Sequence, residues 1–221
     1  EELDRIGDED GIVGVFLPTT GPLPPLGDPE YDVLYQAVSD NDLVPVYHGA
    51  TNSGFDVGFP TYNREFEKFI TAHINAHLWS QTMTLTSLLV HGVPEKFPDL
   101  EFVVLEAGIG WVPYMMFRLN KEAAMRQSEV PLLEKRPEEY VRERFYFASQ
   151  PLGEPMNPGH MQSIIDMVGV DSLLFATDYP HWDFDHPSEL DQHLRSNFSG
   201  SERRKVLHEN AADVFDIPRD R

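Results

Sequence analysis

Five short apolar runs alternate with helix-period segments along this chain, and that alternation limits the fold more than any single motif does. The runs are GIVGVFLP (11–18), LVPVYH (43–48), EFVVLEA (101–107), RFYFAS (144–149) and SLLFAT (172–177). Each is apolar on both faces, as a parallel strand between two covering layers is. Between them, Val33, Leu34, Ala37 and Val38; Phe66, Phe69, Ile70, His73 and His77; Trp111, Met115, Met116 and Leu119; and Met161, Ile164, Ile165 and Val168 keep helical spacing. Strict alternation of this kind predicts parallel βα units with right-handed crossovers. The segment 201–215 reads as a closing helix, with Ser201 as its cap and Glu202 in its first turn. The Pro- and Gly-rich stretch 19–29 reads as a rigid irregular loop.

Five units fall short of the eight in a closed (β/α)₈ barrel of about 250 residues. The two candidates are an open doubly wound sheet and a barrel without its first strands. No Gly-rich phosphate fingerprint follows any strand, and VLEAGIGW (104–111) lacks dinucleotide spacing, which weakens the first candidate. A length of 221 residues suits one large domain or two small ones. The net charge of -20, from 17 basic and 37 acidic side chains, speaks against nucleic-acid or anionic-membrane partners. Glu106 interrupts the longest apolar stretch, Phe102 to Phe117, which stays below the roughly 18 residues of a membrane span. The expectation is a cytoplasmic protein. Without cysteine, any metal site must be built from His, Asp and Glu.

Asp178 ends the run LLFAT and precedes Tyr179 and Pro180. A carboxylate delivered to the carboxyl end of a buried strand suits a metal ligand or general base, and the rival reading is a loop cap. His48 ends VPVYH in the same way, before Gly49, whose missing side chain leaves room for a ligand; a satisfied core histidine is the rival. Glu106 interrupts an apolar strand, where a carboxylate is costly unless compensated. It reads as a general acid/base or outer ligand, or as a strand-end residue within reach of solvent. His73 and His77 stand one helical turn apart without the glutamate of an HExxH pair, so the expectation is that one of them reaches the strand ends. His181 and Trp182 follow Asp178 in a loop where substrate contacts collect. His91 reads as a helix-end residue, and His160, His186, His193 and His208 as surface.

Four stretches, in order, carry a resemblance: VYHGA (46–50), HGVPEKFPDLEFVVLEAGIGWVPYMMFRLN (91–120), LLFATDYPHWDFD (173–185) and VLHENAADVF (206–215). Together they are similar to the amidohydrolase-related family of the amidohydrolase superfamily, in its aminocarboxymuconate semialdehyde decarboxylase-like branch. The resemblance implies a metal-dependent (β/α)₈ TIM barrel with its site at the strand carboxyl ends. It implies His48 and Asp178 as metal ligands, Asp178 and Glu106 as catalytic groups, and His181 and Trp182 as substrate contacts. Zinc is the default ion, with manganese and magnesium also suited to such ligands.

Two departures stand out. The family's first strand carries an HxH or ExH ligand pair, and none exists here, so roughly the first three βα units are expected to be absent and residues 1–221 to be the carboxyl-terminal portion of one barrel domain. The well-studied decarboxylases also have histidine where this chain has Glu106. The expected activity is a carboxy-lyase acting on a small aromatic or unsaturated carboxylic acid. The alternatives are a hydrolase of a C–N or C–O bond in a small cyclic amide or ester, and an inactive barrel-derived binding protein. The partner is then a small molecule, with a homodimer compatible. As an isolated piece the chain is expected to be inactive, to bind metal weakly and to aggregate through open strand edges.

Overall fold

The computed structural model describes residues 1–7, 9–49 and 67–218. All five apolar runs form strands: β1 (Gly14–Pro18), β2 (Val44–His48), β3 (Phe102–Leu105), β4 (Phe145–Ala148) and β5 (Leu173–Leu174). They make one sheet in sequential order, every neighbouring pair parallel. The last strand is shorter than its apolar run, because the chain leaves the ladder after Leu174.

The helices that connect the strands cover one face. Among the described residues α1 (Glu2–Ile6) precedes β1, and α2 (Asp32–Asp40) returns the chain to β2. Then α3 (Phe69–Val90) and α4 (Val93–Lys96) lead to β3, α5 (Val112–Met125) and α6 (Pro137–Arg144) to β4, and α7 (Pro158–Val168) to β5. Pleat alternation sorts the strand side chains. Leu17, Tyr47, Val104, Phe147 and Leu173 stand in register across the sheet and join the main core beneath the helices. Their neighbours Val44, Val103 and Leu174 face the other way, where Ala211, Val214 and Phe215 pack on them. Burying each large side chain contributes about 1.5–3 kcal/mol.

Burial on both faces fails at β1. Phe16 is 61% exposed, and β1 has a strand on one side only among the described residues. The helix read over 66–77 begins at Phe69, with Phe66 outside the described residues, and continues to Val90 with His91 as its C-cap. The closing helix is interrupted. After α8 (Pro187–Asn197) come α9 (Gly200–Arg204), a π-helical turn over Lys205–Glu209, and α10 (Asn210–Val214). Its cap is Ser199 rather than Ser201: Ser199 Oγ accepts from the Glu202 N–H, and Glu202 Oε2 accepts from the Ser199 N–H. Spacing decides this, since a reciprocal capping box needs Glu at the third helical position. His193 is half-buried, not surface, and His186 caps α8 by accepting from the Ser188 N–H.

Candidate active site

The parallel order places every strand's carboxyl end on one rim, and the chemistry-bearing side chains gather there. His48 is the last residue of β2, and Glu106 is the first residue after β3. Strict alternation would return Glu106 to the helix-covered face, with Val104. Instead its backbone adopts φ 55°, which breaks the pleat and turns the carboxylate over the strand ends. Asp178, four residues past β5, has φ 62°. Such conformations cost a non-glycine residue of order 1–3 kcal/mol and are concentrated at functional sites.

Glu106 is the hub. Its Oε2 lies 2.5 Å from His48 Nε2, and its Oε1 lies 3.4 Å from His77 Nε2 on α3. Asp178 Oδ2 lies 2.8 Å from His181 Nδ1. Two donor groups share the glutamate: His48, His77 and Glu106, and Glu106, Asp178 and His181, each with its ligand atoms within 4.8 Å of one another. The residues assigned from the strand ends, His48, Glu106 and Asp178, therefore meet through Glu106. This donor set of imidazole and carboxylate fits a divalent cation.

Charge and burial set the protonation. The hydrogen bond to Glu106 holds the His48 imidazole above its ordinary range, against the opposing effect of burial. Burial pushes Glu106 up, but the His48 hydrogen bond and the nearby His77, His48 and His181 charges outweigh it and leave the carboxyl below its ordinary range. In the metal-free site the shared proton thus belongs to His48. Burial pushes His77 down, against the opposing pull of the Glu106 charge. His181 is raised by its hydrogen bond to Asp178.

A cavity of about 310 Å³ opens beside Glu106, walled by Ile74, Leu78, Ala107 and Pro151, with His73 and Asp183 among its polar groups. His73 Nε2 lies 3.2 Å from Asp183 Oδ2. Of the two predicted substrate contacts, His181 turns to Asp178 and Trp182 is 75% exposed, its ring 5.1 Å from that of His73. Sequence reading missed Asp183, whose only signal was its place two residues past His181. It left open which of His73 and His77 reaches the strand ends; both do, in different pairings. The room beside Gly49 is filled by α3. A Cβ there would lie 2.9 Å from both Cα and Nδ1 of His77.

The amidohydrolase profile, Amidohydro_2, matches residues 1–217. The chain belongs to the amidohydrolase family. Gamma-resorcylate decarboxylase of Polaromonas sp. strain JS666 is 27% identical over 136 residues, which is 60% of this chain and 39% of that protein. The 5-carboxyvanillate decarboxylase of Sphingomonas paucimobilis shares the fold at a TM-score of 0.75 and 19% identity, over 98% of this chain and 62% of that one. A dihydroxybenzoic acid decarboxylase of Polaromonas sp. JS666, solved with manganese and 2-nitroresorcinol, aligns at a TM-score of 0.73 and 20% identity over 98% and 64% of the two chains. The amidohydrolase chain described here thus spans less than two thirds of each relative. Its parallel α/β sheet matches theirs in fold, and no described helix is long and apolar enough to cross a membrane.

Proposed function

We propose that this amidohydrolase forms the catalytic rim of a metal-dependent decarboxylase for a small aromatic or unsaturated carboxylic acid. The observation that carries the reading is the convergence of His48, Glu106 and Asp178 at the carboxyl ends of three parallel strands beside an apolar-walled cavity. The decarboxylase names of the relatives support the same class. His48 and Asp178 would hold the ion, with zinc, manganese and magnesium all suited to the donors. The ion supplies Lewis-acid stabilisation of negative charge at this point.

The remaining chemistry falls to the chain's own side chains. Ile74, Leu78, Ala107 and Pro151 exclude water from a bound ring. Glu106 relays the proton: as the C–C bond breaks and carbon dioxide leaves, the ring carbon keeps the electron pair and takes a proton that the ionised Glu106 carboxylate has drawn from solvent at Oε2. Asp178 orients His181, which together with Trp182 closes over the substrate. The test is carbon dioxide release from 2,6-dihydroxybenzoate and related acids by metal-loaded protein. Asp178→Asn is expected to lower turnover by about 10²–10³-fold, the scale of losing a group that stabilises the transition state. Undiminished turnover in that variant overturns the assignment.

Glu106 itself favours a second reading. A carboxylate held ionised beside a cavity is a general base, and water activated by it would hydrolyse a small cyclic amide or ester. Turnover of a lactone or lactam panel without carbon dioxide release would select this alternative.

A further inference from the structure

Helix α3 brings to the rim a group that strand-end residues alone do not supply. His77 Nε2 approaches Glu106 Oε1, the carboxylate oxygen opposite the one that meets His48. The two imidazoles stand edge-on, with centroids 5.6 Å apart. A divalent ion holds imidazole nitrogen and carboxylate oxygen at about 2.0–2.2 Å, so tetrahedral neighbours lie roughly 3.4 Å from each other. The separation between His77 Nε2 and Glu106 Oε1 is 3.4 Å. We propose that His77 is a metal ligand, and that His48 Nε2, His77 Nε2 and Glu106 Oε1 form a three-donor divalent-cation site among the described residues.

Two features of the backbone deliver His77 to this place. Gly49 permits the close approach of α3 to the end of β2, since a Cβ there would also lie 2.8 Å from Ser80 Oγ. One turn after His77, the Gln81 side chain donates from Nε2 to the carbonyl oxygens of Tyr47 at 2.9 Å and Leu105 at 3.1 Å. Those are the residues immediately before His48 and Glu106. A single helix thereby clamps the two strand ends and sets an imidazole against the Glu106 oxygen that His48 does not meet. Burial points the same way. The side chains of His77 and Glu106 are each 13% exposed, and His77 Nδ1 has no hydrogen-bond partner among the described residues, so the polar engagement of the ring is through Nε2. Glu106 Oε2, which meets His48 in the metal-free site, is the oxygen left for the proton transfer assigned above once His48 Nε2 turns to the ion.

The inference rests on the metal-dependent reading, and cobalt(II) titration of the full chain separates the two. Affinity and the visible d–d absorption, which reports the number and kind of donors, are measured without any substrate. His77→Ala is expected to weaken cobalt binding by at least about tenfold, since loss of even an outer partner of a ligand costs 10–100-fold. Its absorption should change in intensity and position. His77→Gln gives a second variant that retains a polar side chain, circular dichroism verifies that α3 persists, and His160→Ala, exposed on α7, should stay within about twofold of wild type. Unchanged affinity and spectrum in the His77 variants, with binding lost in His48→Ala and Asp178→Asn, overturns the inference and leaves the metal reading standing. Weakened binding with an unchanged spectrum also overturns it, because His77 would then act through packing alone. A wild-type chain that takes up no cobalt sinks both.

Discussion

Protonation at the His48–Glu106 pair links folding to pH in the metal-free protein. The imidazole is raised above its ordinary 6.5, chiefly by its hydrogen bond to Glu106, so its stabilising contribution is full below that pH and is lost as pH rises through the raised value. The carboxyl is lowered from its ordinary 4.5, because its charge partners outweigh burial; its contribution is present above that pH and is lost as pH falls through the lowered value. The pair therefore stabilises most between about pH 4.5 and 6.5. Urea denaturation across pH with chelator present should show this maximum in wild type and a flatter profile in Glu106→Gln. Matching profiles would separate the contact from folding energetics. A divalent ion competes with that proton, so its affinity should rise with pH over the same range. Gly49→Ala makes a second residue-scale test. The added methyl meets Ser80 and His77 at under 3.0 Å, and overpacking of this kind costs about 1–3 kcal/mol. Thermal denaturation measures the cost, and cobalt binding should weaken with it as His77 is displaced.

The α3 helix acts as a structural staple as well as a cover. Gln81 is 1% exposed and donates to two strand-end carbonyls, those of Tyr47 at the end of β2 and Leu105 at the end of β3. Gln81→Leu should destabilise the chain by about 1–3 kcal/mol, the cost of stranding buried acceptors, while Gln81→Glu should also lose function because a carboxylate has no N–H to donate. Denaturant midpoints and cobalt affinity check the two effects. This clamp shows where sequence reading stopped. All five strands were legible from their apolar runs, and His48 and Asp178 from their place after those runs, because both signals are local. The Glu106–His77 contact joins residues 29 apart, and it depends on a backbone φ that no periodicity encodes. The length of α3 was hidden for a related reason. Beyond His77 it buries Ser80, Gln81 and Thr84 beside Leu85, Leu88 and Leu89, so polar residues fall on its inner face and blur the amphipathic pattern.

At the scale of the whole molecule, an open sheet and a strong negative charge oppose one another. The far side of β1 has no strand partner among the described residues, and Ile12, Val13 and Phe16 are exposed beside it. An unpaired apolar edge of this kind is a template for pairing with another copy. The net charge of -20 keeps copies apart at low ionic strength, where repulsion reaches across tens of ångströms. Salt removes that protection, because the screening length falls to about 10 Å at 0.1 M and about 3 Å at 1 M. Self-association should therefore increase with added salt, opposite to an assembly held by ion pairs. Phe16→Lys places a charge on the exposed edge and is expected to suppress the association at every ionic strength, while the strand pairing of Val15 and Leu17 with β2 persists. Light scattering on both proteins from low salt to about 0.5 M decides the matter. Association that weakens with salt, or that survives Phe16→Lys undiminished, would place the contact elsewhere than the β1 edge. Phe16 also packs on His48, with ring centroids 5.2 Å apart, so metal affinity is no independent control for this variant and circular dichroism serves instead. An unchanged spectrum in Phe16→Lys separates loss of self-association from loss of fold.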